Sequence, residues 1–371
     1  MRPRQGILAA AAATAIGLVA VGCEAGVGDA ELGLASHVQL LTSSDRVVLE
    51  DVSLTRGEIL VRVARGPLND QCGELIVVDF DGSVETLAND IVMPLTGPVN
   101  GNFAAFAPTS EDVAYVTNGC KLGPWSLRVL TPNAPQRNLL DSVGEIVGWN
   151  TEPDLLVSRR TAEEGAPASI WRVASTTADA AEVASGQILG ASPDASTLVL
   201  AEGSGIALRT GSEVYPLDGI PTSAGSDGSE FSPDGSKYLY YASSGDELFA
   251  DLAVAGLTEK SQSVILPYGG NSNEYPAKVV AWAPSGEAVL VQGMNSPQAI
   301  LIDVDTVERS LAPLQVSANR VFWRGTALIY GNSAEIWVAF TSEPSEDGNS
   351  TSELADQFRS AFPSPLDLTS S

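Results

Sequence analysis

The 371-residue chain carries one histidine, His37, and three cysteines, Cys23, Cys72 and Cys120. A Ser-His-Asp or Cys-His arrangement needs a positioned imidazole, and a zinc site commonly needs two or three. One histidine supplies neither, and His37 reads as an exposed residue near the first strand. Asp79-Phe80-Asp81-Gly82 and Asp303-Val304-Asp305 resemble fragments of calcium loops. Both lack the further oxygen ligands and the closing glutamate of a complete loop, so turn geometry accounts for their Asp and Gly. Tyr268-Gly269-Gly270-Asn271 is glycine-rich, but a phosphate cradle runs into a helix and this run lies between strands. No catalytic residue, cofactor or metal is therefore expected. Carboxylates alone are abundant, and glycoside cleavage needs two of them and no histidine. A carboxylate-dependent glycan hydrolase or lyase thus stands as the alternative to a non-enzymatic function.

The charge balance is 20 basic against 46 acidic residues, a formal net charge of −26. Nucleic acids and anionic lipid surfaces need a positive footprint, so neither is an expected partner. A self-repelling surface of this kind suits a soluble monomer outside the cytoplasm.

Arg2 and Arg4 precede an uncharged run from Ile7 to Gly22. That run is shorter than the ~20 apolar residues that span a bilayer and has the layout of a secretory signal. It ends Ala20-Val21-Gly22-Cys23, which resembles the lipobox of bacterial lipoproteins, although Ala20 stands where Leu is commonest. The resemblance implies removal of residues 1–22 and lipid on Cys23, with 23–37 as a tether. The chain is then anchored in a membrane of the cell envelope, on its periplasmic face or at the cell surface. Cys72 and Cys120 remain, in an oxidising compartment.

The elements that would position any site come from a repeat. An aromatic or apolar residue, a Pro/Asp/Gly turn and a strand recur as FAPTSEDVAYVTNG, FSPDGSKYLYYASSG and WAPSGEAVLVQG, with weaker copies elsewhere. The copies begin at residues 52, 106, 149, 191, 231, 282 and 323. Propeller blades run to about 40–45 residues, and two wider gaps need loop insertions. Each copy continues as further strands separated by Gly, Asp, Asn and Pro, as in ELIVVDFDGSVETLA. The fold class is all-β: a β-propeller over 38–340, with seven four-stranded blades expected and six or eight also compatible. The last copy is one strand short, and residues 38–49 are the candidate to close the ring.

FSPDGSKYLYYAS and LIVVDFDGSVETLA are similar to the WD40-like repeats of TolB-type propellers. That resemblance covers roughly 52–340 and implies fold, not function, because the repeat serves scaffolds, binders and peptidase accessory domains alike. TolB itself carries an α/β domain before its ring, for which residues 24–50 are too few. On the repeat, Cys72 and Cys120 both fall between the second and third strands of adjacent blades, on one face. A Cys72–Cys120 disulfide is expected there.

Arg159, Arg160, Tyr268 and Tyr275 fall on loops of that same face, which makes it the candidate partner surface. Residues 341–371 are rich in Ser, Glu, Asp, Pro and Thr and are expected to be mostly disordered. Ser350-Thr351-Ser352-Glu353 resembles a capping box ahead of a short helix over 352–362. The expectation for function is an envelope-anchored, non-enzymatic binding or scaffold module for a protein or glycan. An accessory subunit of a larger envelope complex is a further alternative.

Overall fold

A computed structural model describes residues 34–64, 72–93, 102–120, 124–149, 154–159, 169–194, 196–202, 205–217, 219, 231–243, 250–266, 277–293, 297–341 and 350–368. Antiparallel strands dominate, each formed from a short β-branched or aliphatic run. Four-stranded meanders occupy residues 143–185, 187–217 and 277–313. An eight-stranded sheet over 47–141 is two such meanders, 47–92 and 104–141, joined at one residue pair, Ile91 with Thr117. A three-stranded sheet covers 237–266, and bridges from Phe231 and Gly219 lie beside its first strand. The last unit, 320–341, takes Leu34–Thr42 as its fourth strand.

Among the described residues these strands group into seven blades, numbered here in chain order. Their first strands touch one another around a common axis, blade 7 against 1, 1 against 2, 2 against 3, 3 against 4 and 6 against 7. The core is layered between blades. Leu60, Leu75 and Tyr115 fill the wedge between blades 1 and 2, and Leu239, Leu252, Val289 and Val291 that between blades 5 and 6. A blade with two apolar faces is stable only between neighbours, so closing the ring covers the two ends.

Ring closure follows the expectation, with a shifted boundary. The closing strand is Leu34–Thr42, and Val47–Ser53 already belongs to blade 1. The ring thus begins within the segment read as tether.

The Ser-Pro-Asp turns are self-contained. Ser232 Oγ donates to Asp234 Oδ1 at 2.6 Å and accepts from the Lys237 amide at 2.9 Å, and Ser192 and Asp194 repeat the pattern. The hydroxyls of Ser192 and Ser232 hold Asp194 and Asp234 below the ordinary carboxylate range. The most recognisable residues of the repeat are therefore occupied in folding it.

The C-terminal segment departs from expectation. Residues 350–368 are ordered on the ring: the helix Ser350–Ala361, here α1, is followed by Leu366–Asp367, which pairs parallel to Leu41 and Thr42. Ala355, Phe358 and Phe362 are buried in the seam between blades 7 and 1. The Phe358 ring lies 4.7 Å from Phe80 and 5.6 Å from Phe340. Gly82 has φ +86°, and a Cβ there would stand 2.8 Å from the Ala361 carbonyl oxygen, so the turn and the helix end need a glycine. A helix of this length is marginal alone; the spacing of Leu354, Phe358, Ala361 and Phe362 puts them on one helical face, and it is this face that packs on the seam.

A candidate ligand site at the mouth of the central channel

Blade 1 contributes the strand Val47-Val48-Leu49-Glu50-Asp51-Val52-Ser53. Adjacent residues of a regular strand point to opposite faces. Here the pairing register shifts between Leu49 and Asp51, and a bulge of that kind re-aims side chains. Glu50 and Asp51 both reach blade 2. Glu50 Oε2 accepts from the amides of Phe103 (3.0 Å) and Ala104 (3.2 Å), and Asp51 Oδ2 from that of Phe106 (2.9 Å). The first strand of blade 2 is only Ala104–Phe106. Its inward edge has no strand to pair with, and the two carboxylates serve instead.

Glu50 is held in turn. Arg62, from the second strand of blade 1, gives Nε and Nη2 to Glu50 Oε1 at 2.8 and 2.7 Å, and Nη1 to the Val92 carbonyl at 2.8 Å. Both side chains are buried. Desolvation lowers the Arg62 guanidinium to about 10, so it remains a cation at neutral pH. The Phe103 ring covers it at 4.6 Å. From blade 7, Arg320 Nη1 lies 3.7 Å from Glu50 Oε2 and donates to the Leu49 carbonyl at 3.2 Å. One buried cluster therefore ties blades 7, 1 and 2 together at the axis.

Above it opens a cavity of about 300 Å³. Asp51, Phe106, Trp149, Phe322 and Arg324 line it from the first strands of blades 1, 2, 3 and 7, with Asn102 beside them. Trp149 Nε1 donates to the Ala105 carbonyl at 3.4 Å, which fixes the indole. The exposed Arg324 donates to the Trp323 carbonyl at 3.3 Å, and its guanidinium carbon sits 5.5 Å from the centre of the Phe322 ring. Burial pushes the Asp51 carboxyl up, opposed by the amides of Phe106 and Val52 and by the charge of Arg324. The arrangement offers a fixed acceptor, a guanidinium, an amide and aromatic walls.

The residues singled out from sequence lie elsewhere. The disulfide Cys72–Cys120 is present, with Cα atoms 5.1 Å apart, at the start of the third strand of blade 1 and just after the second strand of blade 2. Arg159 ends the second strand of blade 3 and lies 4.6 Å over the Trp171 ring. Both features are on the face opposite the cavity, because first and second strands run antiparallel. Cys23, Arg160, Tyr268 and Tyr275 lie outside the described residues. His37 is not the exposed residue expected: on the closing strand Leu34–Thr42 of blade 7 it is half-buried, its Nδ1 2.9 Å from the Tyr330 hydroxyl. Asp79 and Asp81 bind Ser83 within their own turn. No group of three His, Cys, Asp or Glu residues among the described residues is placed to hold a metal ion.

Glu50, Asp51, Arg62 and Arg324 were not singled out from sequence. A usable signal existed: LEDV and LVRV place charges inside strands that are otherwise apolar, and a charge in such a run is tolerated only with a partner.

No family model matches the chain, and no curated protein matches it. Solved structures do. An acylaminoacyl peptidase in complex with Z-Gly-Gly-Phe-chloromethyl ketone aligns with TM-score 0.53 and 11% identity, over 79% of this chain and 51% of that one. The β-propeller domain of the trilobed protease from Pyrococcus furiosus aligns with TM-score 0.51 and 9% identity, over 83% and 96%. The chain is a β-propeller. TolB from Acinetobacter baumannii is less alike, with TM-score 0.45 and 16% identity over 70% of this chain and 64% of that one. The chain thus spans about half the length of the peptidase and under two thirds of TolB, and at these identities the likeness concerns fold alone. The Pyrococcus domain has an open velcro topology, whereas this propeller is closed by Leu34–Thr42. No helix among the described residues is long and apolar enough to cross a membrane.

Proposed function

We propose that this propeller is a non-enzymatic binding module of the bacterial cell envelope, lipid-anchored through Cys23. Its protein or glycan ligand seats at the mouth of the central channel. One observation carries the reading: the cavity has polar and aromatic side chains from four blades on a floor braced by the buried Glu50–Arg62 cluster. Preorganised walls lower the ordering cost of binding. The face bearing Arg159 is a second contact surface in this reading; Arg160, Tyr268 and Tyr275, expected on the same face from the repeat, lie outside the described residues. In-cell crosslinking followed by pull-down tests it, with Arg324→Ala as the control that should release the partner. If Arg324→Ala and wild type capture the same partner equally, the channel mouth is not the site. Replacing Cys23 by Ser should abolish lipid labelling and membrane association; persistence in the membrane fraction would remove the anchor.

A second reading is favoured by the two carboxyl groups, Glu50 and Asp51, that line the cavity, since glycoside cleavage uses a pair of them. Turnover of cell-wall or storage polysaccharides, lost in Asp51→Asn, would replace the binding reading with this one.

A further inference from the structure

The groups lining the channel mouth restrict its ligand further. Extended peptides commonly bind by adding a strand to a free sheet edge. Inner-edge groups of blades 1, 2 and 3 beside the cavity are occupied: the Phe103, Ala104 and Phe106 amides by Glu50 and Asp51, the Ile146 amide by the Asn102 carbonyl, and the Leu49 carbonyl by Arg320. A strand entering beside these blades would find those backbone groups taken, which leaves recognition there to side chains: the planar polar groups of Asp51, Asn102 and Arg324 and the rings of Trp149 and Phe322.

That set suits a pyranose. A sugar ring has an apolar C–H face, which buries against an aromatic plane. Its rim of hydroxyls both donates and accepts, matching a carboxylate, an amide and a guanidinium together. Charge narrows the class. Asp51 and Arg324 line the same cavity with opposite charges that offset one another locally, while the whole chain, at −26, repels polyanions. The volume, about 300 Å³, is at the low end for small-molecule sites and suits one or two rings.

We propose that the channel mouth binds a neutral sugar unit at the end of a glycan, stacked on Trp149 and hydrogen-bonded by Asp51, Asn102 and Arg324. The proposal rests on the binding reading of the same cavity and names its ligand class.

Gly148 provides the test. It lines the cavity, its φ is not in the left-handed region, and a Cβ added there meets nothing within 4 Å. Gly148→Leu should fill the cavity from its wall while leaving every polar group and the fold in place. The full mature chain is applied to an array of neutral oligosaccharides, uronate-containing oligosaccharides and random heptapeptides. Neutral glycans should be retained by wild type and at least tenfold less by Gly148→Leu, at unchanged circular dichroism and melting temperature. Trp149→Ala should lose the same ligands. Neutral glycans that bind Gly148→Leu as well as wild type overturn the proposal. If peptides or uronates bind in a Gly148-sensitive way instead, the neutral-sugar class is wrong and the binding site stands. If no class binds, both fail.

Discussion

Glu50→Gln is the sharpest probe of what holds the channel together. The substitution keeps the shape and removes the charge that Arg62 faces at 2.7 Å. Glu50 accepts on both oxygens, from Arg62 on Oε1 and from two backbone amides on Oε2. The glutamine NH2 must then point a donor at other donors, whichever way it is turned. Breaking one side of a buried pair costs about 3–5 kcal/mol, and an unsatisfied amide adds roughly 1–3 kcal/mol. Relaxation toward the cavity recovers part of this, so the net expectation is about 4 kcal/mol. At ~2.1 cal/mol/K per residue, a cooperative ring of roughly 300 residues melts with an entropy of ~0.6 kcal/mol/K. The loss then appears as a fall of about 6 °C in calorimetry. Arg62→Met alone should cost about 3 kcal/mol by leaving the carboxylate short of a partner. The Glu50→Gln/Arg62→Met double variant should be less destabilised than the two losses combined, by about 2 kcal/mol, since neither charge is then stranded. If Glu50→Gln melts within 2 °C of wild type, or the losses simply add, the cluster does not hold the blades together as argued.

Denatured, unreduced protein should show no reactive thiol from Cys72 or Cys120. Opening their 48-residue loop by Cys72→Ser/Cys120→Ser should cost up to about 4 kcal/mol, readable by urea titration. Phe358→Ala removes a fully buried ring between Phe80 and Phe340 at about 3–5 kcal/mol. α1 packs on the seam of blades 7 and 1 alone, so hydrogen exchange should lose protection over 350–368 while blades 2 to 5 keep theirs; uniform loss would mean that the helix is integral to the ring. Burial lowers the His37 pKa from 6.5, so the unfolded chain takes up its proton first as pH falls. Stability from this residue is full above about 6.5, declines below it and levels off beneath the folded pKa. A His37→Asn variant should lack that decline.

Much of this protein was legible because propellers are quasi-repetitive. A four-stranded unit must hide two faces, so turn and strand residues recur at blade spacing, and the seven starts, the shortfall in the last blade and the cysteine pair followed. In the tail the helix and the shared face of Leu354, Phe358, Ala361 and Phe362 were legible from spacing, but composition favoured disorder, and spacing does not say that the face has a seam between blades to dock in. Register shifts are invisible to a period-two reading. The one in Val47–Ser53 sends Glu50 and Asp51 to the same neighbour, and similar shifts occur in the first strands of blades 3, 4 and 6.

Local patterning is a property of consecutive residues, and it determined the strands, the blades and how the ring closes. The channel mouth joins residues as far apart as Asp51 and Arg324, which meet only because ring closure brings blade 7 against blade 1. No pairwise spacing along the chain encodes that meeting. Tertiary structure alone decided which of 46 carboxylates would be buried, paired and turned toward the axis.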